Sequence, residues 1–582
     1  MDLLHFQGRS ERSAGGAGLY TALAAERAGA DVLMIAPYPD PMPPELVAAA
    51  GRLDWRGPAV GPDSLPRFEI EHQPGGGTKY HSAAWGAEGE LTVGDVPADI
   101  PPGVMYIVPM IDTRKQVEFA RHFHAAGWSI ACGTYGGATR KHPDLVRESL
   151  ELADRFFCNE PEALELFGDL DRIRSRPGQI LFITRGAKGA RVVQGDHRTD
   201  VPPVQVRELD PTGAGDTFCG TVLARLLRGA HPVIAARHAA AAAAEMVTGV
   251  GPDMLLADSP APSPATDPRV RIDPDRIRAV GEVIRTAPEA EAFAFTGPHF
   301  PEPGHPRALD FFFTATLQQF GFWTERDGRY DAPMIAVLGG RALKGSDYLW
   351  AAYRRWLDEA PAELSPEGQA GLTEAEFAHR LRDDRGTNPL PAGGLHPAAA
   401  NAYGHDLVAL GETPASLLER ARGAARPIGA LLSLLDHVGG YKEDPLRKKA
   451  ALLAVILMQR PERFLEAGEG EDAPPIVDYH CQRSCLRLGL VVVESPELAR
   501  RLGDRRVVRP ADEEAVRAAC YEAVAEVHRL SGRAMGAVDW FLFQNRTRCP
   551  EMTEPDCPAC PADGVCAHRR ELFQPVRRTT AY

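Results

Sequence analysis

The chain has 582 residues and the composition of an ordinary globular protein, with 44% hydrophobic and 25% charged residues. Since one domain typically takes about 150 residues, two or more folded domains are expected. The 65 Lys and Arg residues against 79 Asp and Glu residues give a formal net charge of −14. A broad surface for the phosphate backbone of a nucleic acid needs the opposite sign, so we do not expect a nucleic acid as the partner.

The sequence predicts a cytoplasmic protein without a membrane span. Its first residues, MDLLHFQGRSERS, lack the apolar core of a signal peptide. The apolar run ALLAVILM at 451–458 is much shorter than the roughly 20 residues of a membrane-spanning helix. Four of the ten cysteines cluster near the C-terminus. This distribution favours a metal or cluster site in a reducing compartment over a framework of disulfides.

Residues 14–250 alternate short apolar runs with amphipathic stretches. The apolar runs are DVLMIAP (31–37), GVMYIVPM (103–110), WSIACGT (128–134), RFFCN (155–159) and QILFITRG (179–186). Stretches of helical period, such as 113–127 and 142–154, lie between them. Strands separated by helices of this length predict right-handed crossovers and an α/β domain. Its mostly parallel sheet should be covered by helices on both faces.

The pattern changes after residue 252. Residues 253–270 are dense in Pro, Ala, Ser and Asp, which predicts an interdomain linker. Beyond it, long 3.6-residue patterns such as 346–360 and 513–532 dominate, and strand signals are few. We therefore predict an α/β domain at 1–252, a linker at 253–270 and a mainly α-helical domain at 271–582.

The segment DPTGAGDTFCGTVLARLL (210–227) carries the sharpest motif of the first half. Gly213, Ala214 and Gly215 open an amphipathic helix, so backbone N–H groups at its start can face an anion. Asp216 can accept a proton there from a hydroxyl that attacks a phosphoryl group. A Gly-rich turn before a helix is by itself most often only a turn. The interpretation therefore depends on the surrounding motifs.

Together with those motifs, the segment resembles the ribokinase (PfkB) family of sugar and nucleoside kinases over residues 14–250. The resemblance implies a ribokinase-like fold, ATP and Mg²⁺ as cofactors, Asp216 as the catalytic base, and Gly213 to Gly215 as the anion hole. CNEPEALELFG (158–168) matches the family's N-x-x-E element, and ITRGAKGARVV (183–193) matches the strand and turn beside the nucleotide. The implied ATP- and Mg²⁺-binding residues are Asn159, Glu162, Thr184, Gly186 and Gly189, and the implied substrate-binding residues are Gly15 and Gly16.

Two departures from that family concern sugar recognition. Members usually carry a substrate-binding Asp on the opening strand, and here no such Asp is expected before Gly15. They also follow the di-glycine with an Asn, and here Leu19 or Tyr20 stands at that place. The residues for phosphoryl transfer are thus present while those for sugar binding are altered. Either the substrate is unusual, or the domain binds a nucleotide without turning it over.

The C-terminal cysteines follow the pattern C-x7-C-x2-C-x5-C. Four thiolates at this spacing can hold a tetrahedral Zn²⁺ or a [4Fe-4S] cluster. With Pro555 and the Cys-Pro at 560–561, the segment resembles the terminal iron–sulfur loop of endonuclease III-like helix-hairpin-helix DNA glycosylases, whose first gap is one residue shorter. The resemblance implies a structural [4Fe-4S] cluster, with zinc as the alternative, on Cys549, Cys557, Cys560 and Cys566.

Two upstream segments resemble the catalytic segments of the same glycosylases. PPIVDYHCQRSCLRLGLV (474–491) is similar to V-D-x-H-x-x-R…R-L-G, which makes Asp478 the catalytic carboxylate. An acid held at a helix start can stabilise an oxocarbenium-like sugar and orient water; alternatively it is only an N-cap. RKKAALLAVILM (447–458) resembles R-K-x-A and places Lys448 beside Asp478. Lys448 is then a Schiff-base nucleophile, a phosphate ligand or a surface charge.

A further resemblance covers residues 272–545. Segments at 305–330, 343–360, 448–453, 476–491 and 537–543 follow the element order of the queuosine salvage family, the queuosine 5′-phosphate N-glycosylases, which are related in fold to DNA glycosylases. Phe322 and Trp323 match that family's Phe-Trp, whose aromatic rings stack on the base. Lys448 and Asp478 match its Lys and Asp. The implied substrate is a small nucleotide.

The two halves together predict a bifunctional nucleoside salvage enzyme. It would phosphorylate a modified nucleoside of the 7-deazaguanine type with ATP and hydrolyse the N-glycosidic bond of the nucleoside 5′-phosphate. One alternative is a helix-hairpin-helix DNA repair glycosylase fused to a kinase-like domain, which the net charge opposes. The other is a non-catalytic protein that senses a nucleotide, which the intact GAGD motif opposes.

Overall fold

The computed structural model describes residues 1–6, 9–72, 78–257, 267–288 and 292–582. The chain divides into two compact units, an N-terminal unit at Met1–Ala265 and a C-terminal unit at Thr266–Tyr582. The predicted linker starts too early, because Asp253–Leu256 forms a helix whose Leu255 is buried in the core of the N-terminal unit. Linker residues 258–266 lie outside the described residues. In the described part of the chain, no helix is both long and apolar enough to cross a membrane.

The N-terminal unit combines short strands with helices of up to 15 residues. Its strands are β1 (Asp2–Phe6), β2 (Arg9–Ser13), β3 (Leu33–Ile35), β4 (Tyr38–Pro39), β5 (Asp54–Arg56), β6 (Ala59–Val60), β7 (Arg67–His72), β8 (Thr78–Ala84), β9 (Val104–Ile107), β10 (Ser129–Gly133), β11 (Arg155–Asn159), β12 (Ile180–Thr184), β13 (Ala190–Gln194) and β14 (His197–Val201). Its helices are α1 (Ala17–Arg27), α2 (Val47–Ala50), α3 (Thr113–Ala125), α4 (Gly136–Lys141), α5 (Pro143–Leu152), α6 (Glu160–Phe167), α7 (Ala214–Leu227), α8 (Pro232–Met246) and α9 (Asp253–Leu256).

The main sheet of this unit has the strand order β14-β13-β12-β11-β10-β9. Strands β9 to β12 run parallel, and β13 and β14 return antiparallel. Successive strand residues alternate between the two faces. Phe156, Leu181 and Ile183 pack with α3, α5 and α6, whereas Phe157 and Phe182 pack with α7 and α8. The prediction of an α/β domain with helices on both faces of a mostly parallel sheet is confirmed.

A second sheet has the order β2-β1-β7-β8 and holds the start of the chain. In β1, Asp2 is opposite Ser13 of β2 on one side and Phe68 of β7 on the other. The run DVLMIAP, predicted as a strand beside the others, forms β3, which pairs only with β5 in the described structure. The sequence pattern identified this strand but not its partner.

The C-terminal unit is mainly helical, as predicted. Its helices are α10 (Pro274–Thr286), α11 (Ala308–Leu317), α12 (Ser346–Glu359), α13 (Pro366–Ala370), α14 (Glu374–Arg380), α15 (Leu395–Leu410), α16 (Pro414–Arg422), α17 (Pro427–Leu435), α18 (Lys448–Gln459), α19 (Tyr479–Leu488), α20 (Pro496–Gly503), α21 (Pro510–Ser531) and α22 (Met535–Arg548). Among the described residues of this unit, three two-stranded pairs accompany the helices: β15 (Val270–Ile272) with β20 (Val491–Val493), β16 (Trp323–Arg326) with β17 (Arg329–Pro333), and β18 (Ile335–Leu338) with β19 (Arg341–Lys344).

Helix α18 lies between two hydrophobic cores of this unit. Leu453 and Ile456 belong to the core built with α11, α12, α15 and α17. Ala451 and Val455 belong to the core built with α10, α19, α21 and α22. A helix that is apolar on all sides is expected to be buried on all sides, and the run AALLAVILM satisfies that expectation. The helix therefore fixes its first residue, Lys448, in the interior.

A buried ion pair joins three segments around the start of α18. Both guanidinium Nη atoms of Arg517 on α21 donate to the carboxylate of Asp444, each at 2.7 Å, and its Nε donates to the carbonyl of Val477 at 3.1 Å. The same carboxylate accepts the backbone N–H of Lys448 at 2.7 Å. The Arg517 charge holds the pKa of Asp444 below its usual range despite burial. One pair thus sets the positions of Lys448 and of the residue before Asp478.

We predict that Asp444→Asn destabilises the C-terminal unit by about 3–5 kcal/mol, because it leaves the Arg517 charge buried without its counter-ion. Glu526→Gln is the control, since Glu526 forms an exposed pair with Arg529 on the same helix and such pairs contribute about 0–1 kcal/mol. Differential scanning calorimetry of the full chain measures both. Equal small losses for the two variants would show that the buried pair does not stabilise the unit.

Candidate functional site

The first group of candidate residues surrounds the start of α7. Gly213 precedes the helix in the left-handed conformation, with φ 80°, and a Cβ there would overlap the ring of Tyr20. Glycine is therefore required both by the backbone and by the packing. Asp216 lies in the first turn of α7 and is half-buried. Burial raises the pKa of its carboxyl to about 6, which suits a group that takes up a proton.

The di-glycine segment and the GAGD motif are brought together by close packing of α1 on α7. A Cβ at Gly220 would overlap the carbonyl oxygen of Thr21, so these helix backbones approach closely. The Thr21 hydroxyl donates to the backbone carbonyl of Asp216 at 3.3 Å. Gly16 caps α1 with φ 110° and leaves open space around its Cα. The structure thus places Gly15 and Gly16 beside the start of α7.

Asp2 is an acid of the opening strand that lies where the ribokinase family has its substrate-binding Asp. A Cβ at Gly15 would overlap the Oδ2 of Asp2, so the carboxyl lies directly against the di-glycine. The expectation that no Asp of the opening strand precedes Gly15 is wrong. Burial raises the pKa of Asp2 to about 6. The sequence did offer a signal for this acid. Asp2 begins the apolar strand β1, and β2, which pairs with β1, is followed directly by the di-glycine segment.

Tyr20 stands where the ribokinase resemblance predicts an Asn. Its side chain is 1% exposed, and its hydroxyl has no hydrogen-bond partner among the described residues. Burial, followed by the charges of Asp210, Asp2 and Asp216, raises the pKa of the phenol. The ring therefore lies between the acidic groups of β1 and α7, and it fills space that a smaller Asn would leave open.

Two further motifs end at the same edge of the main sheet. Asn159 at the end of β11 is in register with Thr184 at the end of β12. Asn159 and Glu162 form a reciprocal cap of α6: the Asn159 Oδ1 accepts the Glu162 N–H at 3.0 Å, and the Glu162 Oε2 accepts the Asn159 N–H at 2.9 Å. Burial raises the pKa of Glu162 to about 7. The N-x-x-E element thus has a structural role in addition to the Mg²⁺ role that the resemblance implies.

Glu162 and Asp216 both lie close to Cys219 of α7. Burial raises the pKa of the Cys219 thiol, and the charges of Asp216 and Glu162 raise it further. The capped end of β11 and the start of α7 are therefore neighbours at the carboxyl edge of the parallel strands. In open α/β sheets, this edge is where ligands bind.

The two glycines of the ITRGAKG segment have different surroundings. Gly186 is exposed with φ 54° and opens a short 3₁₀ turn at Gly186–Lys188. Gly189 has φ 88°, and a Cβ there would overlap the carbonyl oxygen of Val201. Gly189 is explained by the close approach of two strands, while the exposed turn at Gly186 is free to face a nucleotide.

The second group of candidates lies in the C-terminal unit around Asp478. Asp478 is the N-cap of α19, and its Oδ1 accepts the N–H of Cys481 at 2.8 Å. The structure therefore contains the N-cap that was the simple alternative for this residue. The carboxyl is half-buried, and its other oxygen makes no hydrogen bond within the described residues.

Lys448 is 4% exposed, so the prediction that it could be a surface charge is wrong. Its Nζ donates to the carbonyl of Gln319 at 3.0 Å. Burial lowers the pKa of Lys448, and the charges of Asp478 and Asp539 oppose that effect. The neighbouring Lys449 is 2% exposed and lies 5.1 Å above the ring of Phe320. Burial lowers its pKa to about 8.

Sequence reasoning missed Asp539. It lies on α22, inside the AVDWFLF segment that was used only to support a resemblance. Burial and the charge of Asp478 raise its pKa to about 8, while the charge of Lys448 lowers it. A single acid within a helix gives no signal in the sequence, because its neighbours Asp478 and Lys448 come from other helices.

Phe322 and Trp323 are buried, with exposures of 5% and 4%. Trp323 stacks on Tyr330 at 5.5 Å, and the Arg578 guanidinium lies 4.0 Å from the centre of its ring. Tyr479, next to Asp478, belongs to the same aromatic cluster. A base could stack on Phe322 or Trp323 only after neighbouring side chains moved, and their role in substrate binding stays a prediction.

The four C-terminal cysteines line one cavity. The Arg487 Nη1 donates to the Sγ of Cys549 at 3.1 Å, and the Arg570 Nη2 donates to the Sγ of Cys557 at 3.2 Å. Such donors stabilise thiolates, so this set of residues fits a bound metal or cluster. Within the described residues, one group of metal-ligand side chains has all its donor atoms within 4.8 Å of one another, and it comprises Cys557, Asp563 and His568.

Helix α19 connects this cysteine loop (residues 549–566) to Asp478. Arg487 donates to the carbonyl of Pro550 at 2.9 Å as well as to Cys549. Arg483 lies 4.0 Å from the carboxylate of Glu551 in the loop. Arg483 and Arg487 thus hold the loop from the helix whose N-cap is Asp478.

Comparison with known proteins finds kinases that are similar to the N-terminal unit. Residues 138–257 match the family described as pfkB family carbohydrate kinase. The matched segment contains Asn159, Glu162, Thr184 and the GAGD motif. The cytidine kinase of Thermococcus kodakarensis is 29% identical over 241 residues, which cover 39% of this chain and 86% of that protein. The ribokinase of Bacillus subtilis is 34% identical over 110 residues, which cover 18% of this chain and 37% of that protein.

Two solved structures are also similar. The nucleoside kinase of Burkholderia thailandensis in complex with inosine is 23% identical, with a TM-score of 0.38, over 45% of this chain and 91% of that chain. The adenosine kinase of Anopheles gambiae in complex with P1,P4-di(adenosine-5) tetraphosphate is 17% identical, with a TM-score of 0.38, over 45% of this chain and 90% of that chain.

Proposed function

We propose that the chain is a bifunctional nucleoside salvage enzyme. Its N-terminal unit transfers a phosphoryl group from ATP to a modified nucleoside of the 7-deazaguanine type, and its C-terminal unit hydrolyses the N-glycosidic bond of the resulting nucleoside 5′-phosphate. The observation that carries the kinase half is the start of α7, where an acid of raised pKa lies beside N–H groups that no side chain caps. The glycosylase half rests on Lys448, Asp478 and the cysteine loop.

The residues of the kinase half have four roles. The N–H groups that follow Gly213 can hold the negative charge of the transferred phosphoryl group. Asp216 takes the proton of the attacking hydroxyl, and Asp2 is placed to bind a sugar hydroxyl beside Gly15. Asn159 and Glu162 fit Mg²⁺, because carboxylate and amide oxygens are its usual protein ligands, and Mg²⁺ would neutralise charge on the ATP phosphates. Tyr20 in place of Asn supports a substrate other than a simple sugar.

We predict that Asp216→Asn lowers the kcat for nucleoside phosphorylation by about 10²–10⁴-fold, because the variant cannot accept the hydroxyl proton. The assay incubates the full chain with ATP, Mg²⁺ and a panel of cytidine, inosine, adenosine and queuosine, and measures ADP. Since the pKa of Asp216 is about 6, wild-type activity should fall as the pH drops below that value.

Asp144→Asn is the matched control, because Asp144 lies in the first turn of α5 and its side chain is 98% exposed. It should leave the rate unchanged. Nucleotide binding without turnover by the wild-type chain, for every nucleoside in the panel, would instead favour a nucleotide-sensing protein.

The residues of the glycosylase half have complementary charges. The second oxygen of Asp478 is available to stabilise positive charge on the sugar and to orient a water molecule, since only one oxygen serves the cap. Lys448 is buried close to it and is suited to binding an anion, such as the phosphate of a nucleotide. A Schiff-base role for Lys448 would require its Nζ to leave the carbonyl of Gln319.

We predict that Asp478→Asn abolishes release of the base from queuosine 5′-monophosphate and leaves phosphorylation intact. Asn caps a helix as well as Asp does, so the variant should fold and lose only the negative charge. Asp273→Asn is the matched control, because Asp273 is the N-cap of α10 and accepts two backbone N–H groups. Mass spectrometry detects the free base. Undiminished release of the base by Asp478→Asn would contradict the glycosylase assignment. Excision of a base from duplex DNA would instead favour a repair glycosylase.

For the cysteine loop we propose a [4Fe-4S] cluster, with a single zinc ion as the alternative. A Zn²⁺ with Zn–S bonds of about 2.3 Å holds its four thiolates about 3.8 Å apart. Within the described residues, the four thiols do not form a group with mutual distances under 4.8 Å. Cys549, Cys557, Cys560 and Cys566 would hold the cluster. Its role when bound would be to fix the loop that Arg483 and Arg487 contact.

We predict that protein purified without oxygen is brown, contains about four iron atoms per chain and absorbs near ~400 nm. Cys557→Ser should lose most of the iron, while Cys132→Ala, a buried cysteine of the main sheet, should keep it. Metal analysis by mass spectrometry and the absorption spectrum give both results. A colourless chain with one zinc ion would contradict the cluster.

A further inference from the structure

Three ionisable groups from three different helices meet in the C-terminal unit. Lys448 opens α18, Asp478 caps α19, and Asp539 lies on α22. The charges of both acids act on Lys448, and the charge of Asp478 acts on Asp539. The sequence resemblances account for the first two groups. Asp539 has no role in the proposed function as stated so far.

Close packing of the helices fixes this meeting point. At the start of α22, Gly536 lies against α18, because a Cβ there would overlap the Gln459 side chain and would lie 3.0 Å from the Val455 Cγ1. On the side of α19, the Ser484 hydroxyl donates to the carbonyl of Leu542 at 3.3 Å. The position of Asp539 relative to Asp478 is therefore set by side chains and backbone on both sides of it.

The two carboxyls have different surroundings. Asp478 accepts the backbone N–H of Cys481 at 2.8 Å. Asp539 is half-buried, and the described residues provide it with no hydrogen-bond donor and no ion pair. Two neighbouring carboxyls do not both ionise easily. Burial and the charge of Asp478 raise the pKa of Asp539 to about 8, so Asp539 is the carboxyl that carries a proton near neutral pH.

We propose that Asp539 is the catalytic acid of the glycosylase site. This inference rests on the proposed hydrolysis of a nucleoside 5′-phosphate. As the N-glycosidic bond breaks, its electron pair goes to the base, and Asp539 donates its proton to a heteroatom of the departing base. Water adds to the anomeric carbon and gives its proton to Asp478. The products are the free base and ribose 5-phosphate, and transfer of the proton from Asp478 to Asp539 restores the starting state.

The test compares two substrates that differ in their need for an acid. Queuosine 5′-monophosphate has a poor leaving group that gains from protonation, whereas 4-nitrophenyl β-D-ribofuranoside 5-phosphate releases a stable phenolate without it. Asp539→Asn should lower kcat by about 10²–10⁴-fold for the first substrate and by less than about tenfold for the second. Asp539→Glu, which keeps a carboxyl, should recover part of the first activity.

Each outcome separates this inference from the proposed function. If the wild-type chain hydrolyses neither compound, the proposed glycosylase itself is wrong. If the wild type is active but Asp539→Asn loses nothing, or loses the same factor for both substrates, the acid role is wrong and the hydrolase assignment stays. Asp358→Asn is the control, because Asp358 lies in the last turn of α12 in an exposed pair with Arg354. Thermal melting of all variants identifies any loss that comes from unfolding.

Discussion

The arrangement of the C-terminal unit depends on the buried pair between Arg517 and Asp444. An Arg buried in a core requires a counter-ion and acceptors for its N–H groups, and here these come from two loops that are distant in sequence. Asp444 fixes the first amide of α18, and Val477 precedes the N-cap of α19. Because one guanidinium binds both loops, the ends of the two helices that carry Lys448 and Asp478 have fixed positions. The proposed chemistry of this unit relies on that constraint.

In the N-terminal unit the corresponding constraint is steric. Gly213 is left-handed and in contact with the Tyr20 ring, Gly15 is in contact with the Asp2 carboxyl, and Gly220 is in contact with the α1 backbone. Because glycine has no side chain, each of these positions lets two of the three segments β1, α1 and α7, or the residues next to them, lie in close contact. The site is thus assembled by close packing of backbones, and the raised pKa values of Asp2 and Asp216 follow from the burial that this packing produces.

Local patterns in the sequence predicted most of the architecture and part of the sites. The apolar runs of the first half and the helical period of the second half identified the secondary structure, because hydrophobic periodicity is a local property. The GAGD motif and the four cysteines were also local. Asp539 and the buried state of Lys448 depend on contacts between helices, and no spacing in the sequence reports them. Asp2 was missed because β1 has only five residues, and so short an apolar run is a weak signal for a strand. The burial of Phe322 and Trp323 in two hydrophobic clusters also depends on contacts between distant segments, and no local pattern predicted it.

The two adjacent lysines at the start of α18 have a consequence for the order of events. Lys448 and Lys449 place two buried cations at the positive end of a helix dipole, where burial and the charge of Lys448 lower the pKa of Lys449. A dianionic phosphate monoester would relieve that repulsion, and a neutral nucleoside would not. With this discrimination, base release would follow phosphate transfer, and the unphosphorylated nucleoside would not be cleaved.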